Sequence, residues 1–182
     1  MGVLENGLVM IKPILSNSIH LLLGLILVAL AACSKHEKPV QLLFDTDFGG
    51  DADDLGALAM LNHFHNKGEA ELLGVFCWNA EQYAVSGIDA VNTYYGNPDI
   101  PIGLRQTDPH LTDWNHSKVL ADNLSHDISF ENAPDATGLY RKVLSEAEDK
   151  SLILITVGPL ANIKNLIDSK ADDYSDLSLI HI

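Results

Sequence analysis

Asp45, Asp47, Asp51, Asp53 and Asp54 fall within ten residues of one another, directly after the apolar run Leu42-Leu43-Phe44. Carboxylates crowded this closely repel one another, so a folded chain keeps them together only beside positive charge. No Lys or Arg lies between Pro39 and Lys67 to supply it. A hard divalent cation held by oxygen ligands would, with Ca²⁺ or Mg²⁺ the fitting choices. The competing reading is an acidic loop that stays in water.

The elements around the cluster say where such an ion would sit. An apolar β-type run, Val40–Phe44, leads into it, and Leu55, Leu58, Leu61 and Phe64 follow at helical spacing. Strand, glycine-containing loop, helix is the order in which α/β sheets gather ligands at the carboxyl ends of their strands. An EF-hand loop starting at Asp45 would find Gly50 at its sixth position. Its twelfth would be Gly56 instead of Glu, and a strand would precede it. That reading fails. A haloacid-dehalogenase-type phosphotransferase is an alternative, with Asp45 as nucleophile, Asp47 as acid/base, and Thr156 and Lys164 as helpers. Phe48-Gly49-Gly50 departs from that pattern, and Asp51, Asp53 and Asp54 are left without a role.

Asp45-Thr46-Asp47, Gly49, Asp53-Asp54 and Ala57-Leu58 in order resemble the amino-terminal signature of the inosine/uridine-preferring nucleoside hydrolase family. Leu72-Leu73-Gly74-Val75 leading to Asn79 resembles its second strand. Ile153–Thr156 with Val157-Gly158-Pro159-Leu160-Ala161-Asn162 resembles its strand before Gly-Pro-Leu-Thr-Asn. The likeness spans Val40 to Ile167 and implies a Ca²⁺-dependent N-ribohydrolase. By that resemblance Asp47 is metal ligand and general base, Asp54 holds Ca²⁺ bidentately, and Val157 adds its backbone carbonyl. Asp53 and Asn79 would hydrogen-bond ribose hydroxyls, Asp45 would orient the loop through backbone hydrogen bonds, and a homo-oligomer is compatible. A non-catalytic Ca²⁺-dependent sugar- or nucleoside-binding lipoprotein is the reading from another class.

Before this domain, an apolar run from Ile19 to Ala32 ends in Leu30-Ala31-Ala32-Cys33. It is short for a membrane span, which needs about 20 apolar residues, and has the length of a signal-peptide core. Leu-Ala-Ala-Cys resembles a bacterial lipobox, which implies residues 1–32 as signal peptide and Cys33 as the acylated first residue. Acyl chains would anchor the domain to a membrane of the cell envelope, outside the cytoplasm. Ser34 at the next position implies the outer membrane in a Gram-negative cell. Met10 is an alternative start. Ser34–Pro39 reads as a tether. Cys77 is then left alone, so no intramolecular disulfide is expected. A net charge of −14 in 182 residues argues against nucleic-acid backbones as partners.

From residue 40 onward the pattern alternates. Strand Val40–Phe44, helix Asp53–Asn66, strand Glu71–Cys77 and helix Glu81–Tyr95 come first. A long polar stretch, Gln106–Pro134, carries His110, Trp114, His116 and His126 as loop residues, a substrate-side place open to any of them. Helix Asp135–Asp149, strand Leu152–Val157 and helix Leu160–Ile167 follow. This order predicts an α/β domain over 40–182, a mostly parallel Rossmann-like open sheet with helices on both faces. Compared with the family pattern, it reads as a truncated, amino-terminal part, without the later residues of the active site.

Overall fold

The computed structural model describes residues 38–108, 116–170 and 173–174. The chain divides into two units, Met1–Lys38 and Pro39–Ile182, and every element below belongs to the second. In chain order these are β1 (Val40–Thr46), α1 (Asp53–Lys67), β2 (Ala70–Cys77), α2 (Ala84–Tyr94) and β3 (Ile102–Leu104). Then come α3 (His116–Asn123), α4 (Ala136–Glu146), β4 (Leu152–Thr156) and α5 (Ala161–Asp168). The strands form one open sheet in the order β3-β2-β1-β4, and every pairing is parallel. Parallel neighbours need a crossover between them, which the helices supply. The expected α/β, Rossmann-like architecture is the one observed.

Alternation along β1 decides which side chain faces which helices. Leu42 and Phe44 pack on one side with Leu58 and Leu61 of α1 and Val85 and Ile88 of α2. Leu43 points the other way, into a second cluster with Phe76, Tyr140 and Val143 of α4, and Leu166 of α5. There the Tyr140 and Phe76 rings stack with centroids 3.4 Å apart. Burying each such side chain is worth roughly 1.5–3 kcal/mol. The two clusters hold helices to both faces of the sheet.

Several boundaries differ from the sequence reading. β1 continues to Thr46 because its main chain keeps bonding to both neighbours: Trp78 N donates to Thr46 O (2.8 Å) and Val157 N to Asp45 O (2.9 Å). α2 begins at Ala84 instead of Glu81, since the Glu81 carboxylate turns back to accept from Tyr83 N at 2.8 Å. The polar stretch after β3 contains α3, which was not expected. Its Ser117 is buried, while Val119 is exposed. β4 is one of the two edge strands among the described residues, with Ile153 52 % exposed. No helix among the described residues is long and apolar enough to cross a membrane.

Candidate functional site

The carboxyl ends of β1, β2 and β4 come together around the acidic loop, and there the five aspartates separate. Asp45 shares the parity of Leu43 and is buried on the α4/α5 face. Its Oδ2 accepts from the Tyr140 hydroxyl (2.7 Å) and from Asn162 Nδ2 (3.1 Å). Burial pushes its carboxyl up to about 6, against the pull of those two donors. The donors are side chains of α4 and α5, not the loop amides expected for this residue. A carboxyl so enclosed is also a poor nucleophile, which argues against the phosphotransferase alternative. Lys164, its proposed helper, pairs with Asp168 on the exposed side of α5.

The other four carboxylates stay at the sheet end. Asp51 and Asp53 are exposed and Asp54 is buried, and one oxygen of each lies within 4.8 Å of the others. Oxygens that ligate one Ca²⁺ at about 2.3–2.6 Å cannot be more than about 5 Å apart. The spacing and the all-oxygen donor set therefore fit such an ion. The hydrogen bond between Asp51 and Asp53 raises the first carboxyl and lowers the second. Asp54 is pushed up to about 6, mainly by burial, and further by the negative charges of Asp47, Asp53 and Asp51. Its Oδ1 accepts from the Thr46 hydroxyl at 2.5 Å.

Asp47 and Val157, both expected as ligands, lie outside this set of three. Asp47 is close enough to raise its neighbours, and its carboxylate is pressed against the turn after β4. A Cβ built on Gly158 would stand 2.9 Å from both Asp47 N and Asp47 Oδ1. Only glycine tolerates that approach. Val157 is exposed, and its N–H bonds to Asp45 O, which sets β4 beside the loop.

Asn79, at the end of β2, holds the loop from the other side. Its Nδ2 donates to Asp47 O (3.2 Å) and Phe48 O (3.1 Å), and its Oδ1 accepts from Glu81 N (3.1 Å). The amide expected to meet ribose is thus engaged with the loop backbone. Phe48 is fully buried, which anchors the loop apex into the core. Gly49 follows at φ 129°, with its missing Cβ 3.1 Å from Ser117 Oγ and 3.3 Å from Asn79 Nδ2. Cys77 is buried as expected, its Sγ 3.3 Å from Asn79 O, and burial pushes its thiol up.

Thr46, Glu81 and Gly158 also shape the site, beyond the residues expected from the sequence. Thr46 carries the parity of Phe44, a signal that could have placed it facing α1. Glu81 is fully buried, and its Oε1 has no hydrogen-bond partner among the described residues. Gly158 stands in the Val157–Asn162 motif, and nothing in its local sequence signals the contact with Asp47. His116 is on α3, edge-on to Phe48 at 5.2 Å, and desolvation lowers its pKa against the pull of Asp51 and Glu81. His126 is exposed, near Leu124 O. His110, Trp114 and Cys33 lie outside the described residues. No family model matches the chain, and no curated protein matches it.

Proposed function

We propose that the domain binds Ca²⁺ through Asp51, Asp53 and Asp54 at the sheet end and hydrolyses the N-glycosidic bond of a nucleoside or related ribosyl compound. The observation that carries this reading is the convergence of three carboxylate oxygens within 4.8 Å, one of them buried, with Asp47 and Asn79 beside them. Ca²⁺, when bound, would favour the hydroxide form of a coordinated water. Asp47 would take the proton of the attacking water, and Gly158 keeps its carboxylate in place. Asp53, at the exposed mouth of the loop, would accept hydrogen bonds from ribose hydroxyls as the glycosidic bond opens towards an oxocarbenium-like sugar. Asn79 acts first by shaping the loop; a contact to sugar would use the second lone pair of its Oδ1.

Calorimetry with Ca²⁺ and assays of base release from inosine and uridine on the protein test the reading. Asp54→Ala is expected to abolish Ca²⁺ binding and hydrolysis together, and the loss in Asp53→Ala to be smaller because that side chain is exposed. Undiminished Ca²⁺ affinity in Asp54→Ala would end the assignment. The occupied Asn79 amide favours a second reading, a non-catalytic Ca²⁺-dependent sugar or nucleoside binder, which predicts binding without turnover.

We also propose that the domain is lipid-anchored through Cys33 on the outer side of a bacterial membrane. Cys33→Ser should block lipid labelling and move the protein out of the membrane fraction. Release of the unmodified protein by salt alone would contradict this.

A further inference from the structure

Asp54 is the one buried member of the three converging carboxylates, and a single hydroxyl controls how it is presented. Thr46 is fully buried at the last position of β1. Its Oγ1 accepts from Phe48 N at 3.1 Å and lies 2.5 Å from Asp54 Oδ1. A hydroxyl has one proton to give. Because Phe48 N–H already points at the oxygen, that proton is directed to Asp54, so Asp54 receives a donor and is favoured as the acceptor-only carboxylate. On the far side of the same peptides, Asn79 Nδ2 takes the carbonyls of Asp47 and Phe48. The Phe48 amide is thereby fixed in the orientation that Thr46 reads. Strand end, loop apex and the first turn of α1 are joined at one oxygen atom.

We propose that Thr46 is a positioning residue of the cation site, orienting Asp54 for the ion through the Phe48 N–H → Thr46 Oγ1 → Asp54 Oδ1 chain. The proposal deepens the Ca²⁺ reading and rests on it. Groups that orient a metal ligand typically change affinity by about 10–100-fold when removed. Valine matches threonine in shape and lacks the hydroxyl, while serine keeps the hydroxyl and loses only a methyl group.

The test is Ca²⁺ calorimetry on the whole chain as wild type, Thr46→Val and Thr46→Ser, with thermal melts as a check on folding. Thr46→Val is expected to bind Ca²⁺ at least about tenfold more weakly, and Thr46→Ser to stay within about threefold of wild type. Equal affinity in Thr46→Val, or a Thr46→Ser variant as weak as Thr46→Val, overturns the proposal. A purely structural role would lower the melting temperature of Thr46→Val and leave its Ca²⁺ affinity unchanged. NMR of the metal-free wild type separates this proposal from the Ca²⁺ reading and does not depend on a folded valine variant. A Thr46 hydroxyl proton protected from exchange, with cross-peaks to the Phe48 amide, is expected. A freely exchanging hydroxyl overturns the positioning role whether or not Ca²⁺ binds. A protected hydroxyl with no Ca²⁺ binding sinks only the cation reading.

Discussion

Metal-free protein is expected to lose stability as the pH rises from 4 to 6, and Ca²⁺ is expected to restore it above pH 6. Asp45 and Asp54 are both pushed up to about 6, chiefly by burial, and burial raises Asp89 in the same direction. Between the unfolded carboxyl value of about 3.9 and the folded one, the native state holds more protons than the unfolded state. Stability therefore falls with rising pH through that window and levels off above it. For Asp45, at about 1.4 kcal/mol per unit, the loss is on the order of 3 kcal/mol. That corresponds to about 6–12 °C in melting temperature for a domain of this size. His116 works the other way, since burial lowers its pKa, but it is only half-buried and the effect is smaller. An ion at Asp54 selects the ionised form, so free Ca²⁺ at about 100 times its Kd should return about 2.7 kcal/mol at pH 7. Below pH 4 it should do almost nothing. Melts across pH 3.5–8 with and without Ca²⁺ are the measurement. A melting temperature that climbs from pH 4 to 6 in the absence of metal would refute the burial argument.

The second large effect is expected from one methyl group. Gly158→Ala puts a carbon 2.9 Å from Asp47 N and Oδ1 and 3.0 Å from Cγ, distances at which something must give. Asp47 is held at its carbonyl by Asn79, so its carboxylate or the β4–α5 turn has to move. Overpacking of this type costs about 1–3 kcal/mol. A displaced carboxylate at the loop should also weaken Ca²⁺ by about tenfold, and hydrolysis should fall further because Asp47 is the proposed base. Gly50→Ala is the matched control, because a Cβ there meets nothing within 4 Å. Equal melting temperature and Ca²⁺ affinity in the two variants would show that the tight approach of Gly158 is unimportant.

How far the residues alone foretold this arrangement varies from place to place. β1, α1 and β2 lie within about two residues of their expected bounds, because their apolar spacing agrees with the burial they achieve. α3 is hard to read from the sequence because half of its side chains face water and its buried residue is Ser117, which leaves no apolar stripe. β3 is only three residues long. The acidic cluster, contiguous in sequence, is two features in space. Period-two alternation sends Asp45 to the side of Leu43 and leaves Asp54, reached through Thr46, on the other. Gly158 against Asp47 and Asn79 against the loop carbonyls are contacts between distant segments, which no local pattern encodes.

Asp45 has a consequence for how the chain is made. Its two donors lie 95 and 117 residues further along. At a synthesis rate of about 5–20 residues per second, the second donor leaves the ribosome on the order of 10 s after the carboxyl it must satisfy. Through that interval β1 carries an acid group that has no place in an apolar core, and the central strand of the sheet cannot close on both faces. The buried acid at the end of β1 thus ties full satisfaction of that strand to the arrival of α5.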